Sequence, residues 1–256
     1  TVTFHPDPEI FGTTAHLKPA WLYQMARSKA FLFSGVEIRW NCAEEVIKPE
    51  SKVPTEERFH FPNGLLDYLN VTLKDRPTLT SEAFSGKIDL PDNEGRVEFA
   101  IHWPEYSEGF SQSYCNTIPT PQDGTHVQGL RSALSRGLRS YGEMLGNKKA
   151  SAITADDVMG GAAILLSVFI KDPQFQGQTK EKLVSNGISR LVDQAVKDHF
   201  DHWLSGNTLA SKRLLEHVIL VAEERQRRRA KKAMTRKSAT KKLRLPGKLA
   251  DCSKED

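Results

Sequence analysis

The 256-residue chain predicts an α/β (α+β) fold, a sheet with helices laid against at least one face. Three observations carry that prediction. Ala162-Ala-Ile-Leu-Leu-Ser-Val-Phe-Ile170 is an apolar run of strand length, the pattern of a fully buried strand. Val97-Glu-Phe-Ala-Ile-His-Trp103 alternates, as a half-buried strand does. Two stripes then recur at helical spacing. One is Leu130, Ala133, Leu134, Leu138, Tyr141 and Leu145; the other is Ile188, Leu191, Val192, Ala195, Val196, Phe200 and Trp203.

Taken in order, Val2 and Phe4 alternate with Thr3 and His5, a short strand stopped by Pro6 and Pro8. Residues 20–33 predict a helix with Leu22, Met25, Ala26, the Lys29 stem, Ala30 and Phe33 on one side. Gly35 ends it, and Val36-Glu-Ile-Arg-Trp40 alternates as a strand. Residues 43–57 are charged and carry Pro49 and Pro54, which places a domain boundary there. Phe59-His-Phe61 and Gly64-Leu-Leu-Asp-Tyr-Leu69 open the next unit, and residues 113–118 read as a strand ended by Pro119 and Pro121. Thr125-His-Val-Gln128 has capping-box spacing, so a helix starts at Thr125. Thr154-Ala-Asp-Asp157 repeats that spacing before the buried strand, with Asp156 and Asp157 meeting the positive end of a helix dipole. Residues 209–242 lack glycine and proline. Leu214, Leu215, Val218, Ile219 and Ala222 give them an amphipathic start, the helix beyond is mostly basic, and Pro246-Gly247 stops it.

The length allows more than one domain, and a chain starting at Thr1 and ending at Asp256 reads as a segment of a longer protein. It has no apolar run of membrane length and no signal-peptide pattern, so no membrane association is expected. Cys42, Cys115 and Cys252 are few, odd in number and widely spaced, which suits the cytoplasm and argues against a zinc site. The net charge of +4 hides an asymmetry. Residues 225–248 hold twelve Lys or Arg and no acid; without them, 24 basic residues face 32 acidic ones. A basic strip on an acidic body points toward phosphate backbones.

Between the apolar strand and the second stripe runs Asp172-Pro-Gln-Phe-Gln-Gly-Gln-Thr-Lys-Glu-Lys-Leu183. Pro173 and Gly177 break regular structure, leaving Gln178, Thr179 and Lys180 at the tip of a loop held at both ends. A lysine fixed in this way acts on phosphate as a point charge. Other candidates are weaker. His199 and His202 sit three apart beside Asp198 and Asp201, but a metal needs a third convergent ligand. The remaining histidines have no serine or cysteine partner at a telling spacing. Arg131 lies in the first turns of the helix beginning at Thr125, where a surface ion pair is the ordinary use of an arginine.

Pro6-Asp-Pro-Glu-Ile-Phe11, Gly124-Thr-His-Val-Gln-Gly-Leu-Arg131, the Lys180 loop and Leu245-Pro-Gly-Lys-Leu-Ala-Asp-Cys252 occur in that order. Together they resemble the B subunit of bacterial type IIA topoisomerases. The variants Gly64-Leu-Leu-Asp-Tyr-Leu69 and Asp172-Pro-Gln-Phe-Gln-Gly-Gln-Thr-Lys180 are most similar to the B subunit of topoisomerase IV. The resemblance implies that residues 1–57 end a GHKL ATPase domain, with Val2 bordering the adenine pocket. Residues 58–207 would be a transducer domain with a left-handed βαβ crossover, a ribosomal-protein-like domain 2 fold. Residues 208–242 would be the basic linker helix and residues 243–256 the start of a Toprim domain. It further implies ATP and magnesium as cofactors of the full subunit, with the magnesium ligands, the ATP lid and the catalytic glutamate outside this segment. No metal ligand is therefore expected within it, and the segment alone is expected to be inactive. Lys180 would neutralise charge on the γ-phosphate, and Gln178 would hydrogen-bond that group or the attacking water. Arg131 would face the cavity through which DNA passes. Arg227, Arg228, Arg229, Lys231, Lys232 and Lys248 would contact DNA phosphates. The implied partners are DNA, the topoisomerase IV A subunit in a heterotetramer, and a second B subunit in an ATP-gated dimer. The implied activity is ATP-dependent double-strand passage with decatenation and relaxation. The gyrase B subunit, and a non-enzymatic basic nucleic-acid adaptor, remain as alternatives.

Overall fold

The computed structural model describes residues 1–3, 5–12, 16–106 and 108–242, with side chains as far as Thr235. Phe4, Lys248 and residues 243–256 lie outside the described residues. After a single helical turn, α1 (Pro8–Phe11), the first long element is α2 (Pro19–Leu32), which starts on Pro19 at a position where a missing N–H costs nothing. β1 (Glu37–Asn41) pairs antiparallel with β2 (Glu56–His60), and α3 (Leu65–Thr72) follows. The central sheet has five strands in the order β3 (Phe84–Leu90), β4 (Gly95–His102), β7 (Ala163–Ile170), β5 (Phe110–Cys115), β6 (Ile118–Pro119). Its pairs are antiparallel except β5 with β7, which run parallel, Phe110 opposite Ala163. Parallel neighbours need a crossover, and α4 (Thr125–Met144) and α5 (Ala155–Met159) supply it. α6 (Ile188–Gly206) and α7 (Thr208–Lys242) complete the chain.

Two apolar cores lie on opposite faces of this sheet. On one face, Leu130, Leu134 and Leu138 of α4 and Val192, Val196 and Phe200 of α6 bury Val97, Phe99 and Ile101 of β4 and Ile164, Leu166 and Val168 of β7. α4 and α6 approach closely because α4 is glycine at the crossing. A Cβ on Gly129 would stand 2.5 Å from the Ser189 carbonyl oxygen, and one on Gly137 would stand 2.7 Å from the Phe200 ring. On the other face, Ala100, Tyr114, Ala163 and Leu165 meet Phe31 and Leu32 of α2, Phe59 and Phe61, and Leu65 and Leu69 of α3. Burying a side chain such as Phe31 or Leu69 contributes about 1.5–3 kcal/mol each.

Several expectations change. β4 is buried on both faces rather than half-buried, because α2 and α3 cover the side its alternation leaves polar. Glu98 stays buried there by pairing with Arg96 at 2.9 Å and Lys87 at 3.3 Å. Residues 1–3 form no strand, and Val2 is 91% exposed. The β1–β2 ribbon and the α2–α3 packing both run across the charged stretch 43–57. The capping box at Thr125 is not made either. Gly124 is the cap, and the Thr125 hydroxyl is buried without a partner. Thr125 N instead donates to the Leu183 carbonyl, 3.0 Å away. Leu145 ends the α4 stripe in solvent at 44% exposure. The second capping box does form, with Thr154 N and its hydroxyl 2.8 and 2.7 Å from Asp157 Oδ2.

Candidate functional site

The Lys180 loop is a short ribbon rather than an open coil. Ile170, at the end of β7, is gripped by Asn116, whose side-chain amide donates to Ile170 O and accepts from Ile170 N, both at 2.9 Å. Beyond that root, Val184 N donates to Gln174 O at 2.8 Å and Gln176 N to Lys182 O at 2.9 Å. Gln174 N donates to Ser185 Oγ, also at 2.8 Å. The returning strand is stapled on its other side to the residues that lead into α4. Gln122 N donates to Glu181 O at 3.0 Å, Leu183 N to Asp123 O at 3.2 Å, and Thr125 N to Leu183 O. Gly124 is needed at this crossing. Its φ is +149°, and a Cβ there would stand 2.3 Å from the Leu183 carbonyl oxygen.

Gln178, Thr179 and Lys180 stand exposed at the tip. Lys180 has a φ of +57°, a left-handed conformation that costs a side-chain-bearing residue about 1–2 kcal/mol. Its Nζ lies 6.0 Å from the centre of the Phe175 ring, a contact worth about 0.5–1 kcal/mol at an exposed site. No acid among the described residues pairs with it. The neighbouring Glu181 carboxylate instead accepts from Gln122 Nε2 at 2.6 Å. The arrangement offers a free cation and an amide, held by backbone at both ends, to an anionic group arriving from solvent.

The other predicted residues lie elsewhere. Arg131 on α4 sits on the Asp156 carboxylate, an exposed pair that water screens. It borders a cavity of about 260 Å³ with Asp123, Val127 and Gly160. Burial pushes the Asp123 carboxyl up, and Arg131 pulls it part of the way back. Arg227, Arg228, Arg229, Lys231 and Lys232 are exposed on α7, with Arg228 paired to Glu224 four residues before it. Val2 belongs to neither core. His199 is held structurally, its ring against Phe84 and Phe99 and Nε2 3.2 Å from Ser85 O, while His202 is exposed. No group of three or more His, Cys, Asp or Glu among the described residues could hold a metal. No described helix is long and apolar enough to cross a membrane.

Arg225 and His126 are among the residues that escape sequence reasoning. Arg225, the first cation of the basic strip, is an anchor. Its guanidinium reaches Asp157 Oδ1 at 2.7 Å, Asp157 Oδ2 at 2.9 Å and Ala152 O at 2.9 Å. Burial alone would raise the Asp157 carboxyl, but hydrogen bonds from Arg225 and Thr154 outweigh it and hold the group below its ordinary range. A lone arginine 68 residues away carries no sequence signal of this. His126 is fully buried beside Thr120, Nε2 to Oγ1 3.2 Å, and Thr120 in turn meets Ser113 at 2.6 Å. Burial pushes its pKa down to about 4, so the ring is neutral.

Residues 64–234 match the family described as DNA gyrase B. The B subunit of DNA topoisomerase 4 from Bartonella bacilliformis is 51% identical over 98% of this chain, which spans 36% of that protein. The protein of the same name from Caulobacter vibrioides is 52% identical over 98% of the chain and 36% of its own length. The chain thus spans little more than a third of these relatives. Among solved structures, the 43K ATPase domain of Thermus thermophilus gyrase B, in complex with an aminocoumarin, superposes with a TM-score of 0.71 at 26% identity. That match covers 90% of this chain and 59% of the other.

Proposed function

We propose, on the premise that this chain belongs to the DNA gyrase B family, that it is the ATP-coupling part of a type II DNA topoisomerase B subunit. The observation that carries the reading is Lys180, a cation exposed and unpaired among the described residues, on a ribbon fixed at both ends. ATP, when bound, supplies the phosphoryl group that water attacks. Lys180 places positive charge where the γ-phosphate's charge is redistributed, and Gln178 offers its amide to the same group or to the water. Because the ribbon is held at its root by Asn116 on β5–β6, contact at its tip is passed into the sheet, and loss of the contact releases it. In this reading residues 1–57 end the GHKL ATPase domain, 58–207 form the transducer, 208–242 the linker and 243–256 the start of Toprim. Val2 borders the adenine. Magnesium is held by residues outside this chain.

The complete enzyme passes one DNA duplex through a break in another. Its partners in the cytoplasm are a second copy of the B subunit, which closes the ATP-gated dimer, together with the topoisomerase IV A subunit. Arg131 and the exposed cations of α7 meet DNA phosphates. Identity above 50% to B subunits of DNA topoisomerase 4 favours topoisomerase IV over gyrase. Decatenation and supercoiling assays of the full subunit with each kind of A partner test this. Decatenation without supercoiling is the expected result, and ATP-driven negative supercoiling would assign the chain to gyrase instead.

A further inference from the structure

Lys180 and Glu181 are adjacent in sequence and opposite in charge, Lys180 exposed at the tip and Glu181 half-buried just behind it. A carboxylate there has two effects on a phosphate-binding lysine: it neutralises the lysine and it repels the phosphate. The fold keeps the two apart. Lys180, with a φ of +57°, sets its Nζ 6.0 Å from the Phe175 ring on the outgoing side of the ribbon. Gln122, 59 residues earlier, takes the Glu181 carboxylate by its side-chain amide at 2.6 Å and the Glu181 carbonyl by its backbone N–H at 3.0 Å. Two bonds to one residue fix that residue's position as well as its direction. The staple stands beside the Gly124–Leu183 crossing, so the same few residues set the height of the tip and the orientation of its acid.

We propose that Gln122 is a positioning residue for Lys180. It holds Glu181 turned away and so keeps the lysine a free cation aimed at an incoming phosphate. This rests on the proposed role of Lys180 at the γ-phosphate and adds to it the group that protects its charge. Gln122 is exposed and belongs to neither core, so its removal leaves the fold intact. The amide's bond to a carboxylate is charge-assisted, and losing such a bond changes an equilibrium by about tenfold or somewhat more.

The test is a double-mutant cycle on ATP hydrolysis by the full-length subunit in complex with its A partner and DNA. Gln122→Ala is expected to lower kcat about tenfold with KM little changed, since the lysine is lost chiefly to the transition state. In a Glu181→Gln background, where no acid needs holding, adding Gln122→Ala is expected to cause no further loss relative to Glu181→Gln alone. The exchange Gln122→Glu with Glu181→Gln, which restores an amide–carboxylate pair with its ends reversed, is expected to recover most of the rate. An unchanged kcat in Gln122→Ala overturns the proposal. So does an equal loss in both backgrounds, which would make Gln122 a direct contact. Lys180→Ala assayed in parallel separates the two levels. If it is inactive while Gln122→Ala is normal, only the positioning role falls; if it keeps its rate, the reading of the loop falls with it.

Discussion

Lys180 is a residue whose environment supplies little beyond position. It has no ion pair among the described residues, one weak ring contact, and a backbone conformation that lysine rarely adopts. Backbone strain of this kind persists only where the surroundings enforce it, and here the enforcement is the ladder on either side of the tip. Removing one preorganised donor from a developing oxyanion typically costs about 2.7–4 kcal/mol, a hundredfold to a thousandfold in rate. In the full subunit, Lys180→Ala and Lys180→Gln are therefore expected to nearly abolish ATP turnover, with nucleotide binding reduced less. Gln178→Ala should fall between them and the wild type. Lys182→Ala is the control: Lys182 is half-buried below the tip, where its carbonyl accepts from Gln176 N. Steady-state ATPase rates and nucleotide affinities decide it, and equal, near-normal rates for Lys180→Ala and Lys182→Ala would reduce the loop to a connector. The sequence made Lys180 visible because Pro173 and Gly177 mark a loop and the flanking periodicities mark rigid elements. Gln122 stayed invisible, because nothing in a one-dimensional pattern links a loop glutamine to a glutamate 59 residues later.

At the scale of elements, the apolar stripes were legible and the ends were not. β7, α4 and α6 follow their periodicity, since burial of Leu130, Leu138, Val196 and Phe200 outweighs any local preference. The start of α4 departs from its capping signature because the returning ribbon supplies the Leu183 carbonyl, a long-range partner that replaces the local one. That same start buries His126, which gives a pH dependence with a definite sign. Its pKa is about 4 in the fold against 6.5 for the ordinary group, so on acidification the unfolded chain takes up its proton first. The stability contributed by a neutral His126 is present above pH 6.5 and is lost as the pH falls toward 4. Burial lowers His102 and His217 as well, and the depressed Asp157 adds its own loss at lower pH. His126→Asn should therefore remove one part of the fall in Tm between about pH 7 and about pH 5. Identical pH dependence in the variant and the wild type would contradict the assignment.

The anchoring of α7 is a second element-scale matter. Leu214, Leu215, Val218 and Ala222 bury its first turns, and Arg225 closes that contact by satisfying an Asp157 side chain only 2% exposed. Taking away one partner of a buried pair costs about 3–5 kcal/mol. Arg225 is 21% exposed, which places Arg225→Ala at the lower end of that range. The double variant with Asp157→Ala should lose less than the sum of the single losses, as coupled groups do. Thermal unfolding of the three variants measures this. Strict additivity would show that Arg225 does not act through Asp157.

At the scale of the whole molecule, the division of labour along α7 is set by where the body ends. Arg225 is occupied by the body, whereas Arg227, Arg228, Arg229, Lys231 and Lys232 project into solvent beyond it. Such cations give affinity for any duplex through counterion release, and base-edge recognition is not part of their chemistry. Replacing them with glutamine should flatten the plot of log affinity against log salt by about 0.9 for each phosphate no longer neutralised, equally on unrelated DNA sequences. Arg228 should contribute least of the five, because Glu224 already neutralises it. Arg131 belongs to a different surface, beside a cavity at the start of α4 and paired to the exposed Asp156. Arg131→Gln should therefore slow DNA strand passage in the assembled enzyme more than it slows ATP hydrolysis. The measurement is decatenation and ATPase rate on the same preparation. A parallel fall in both would mean that Arg131 serves the fold through Asp156, and the contribution of this face to DNA passage would have to come from elsewhere.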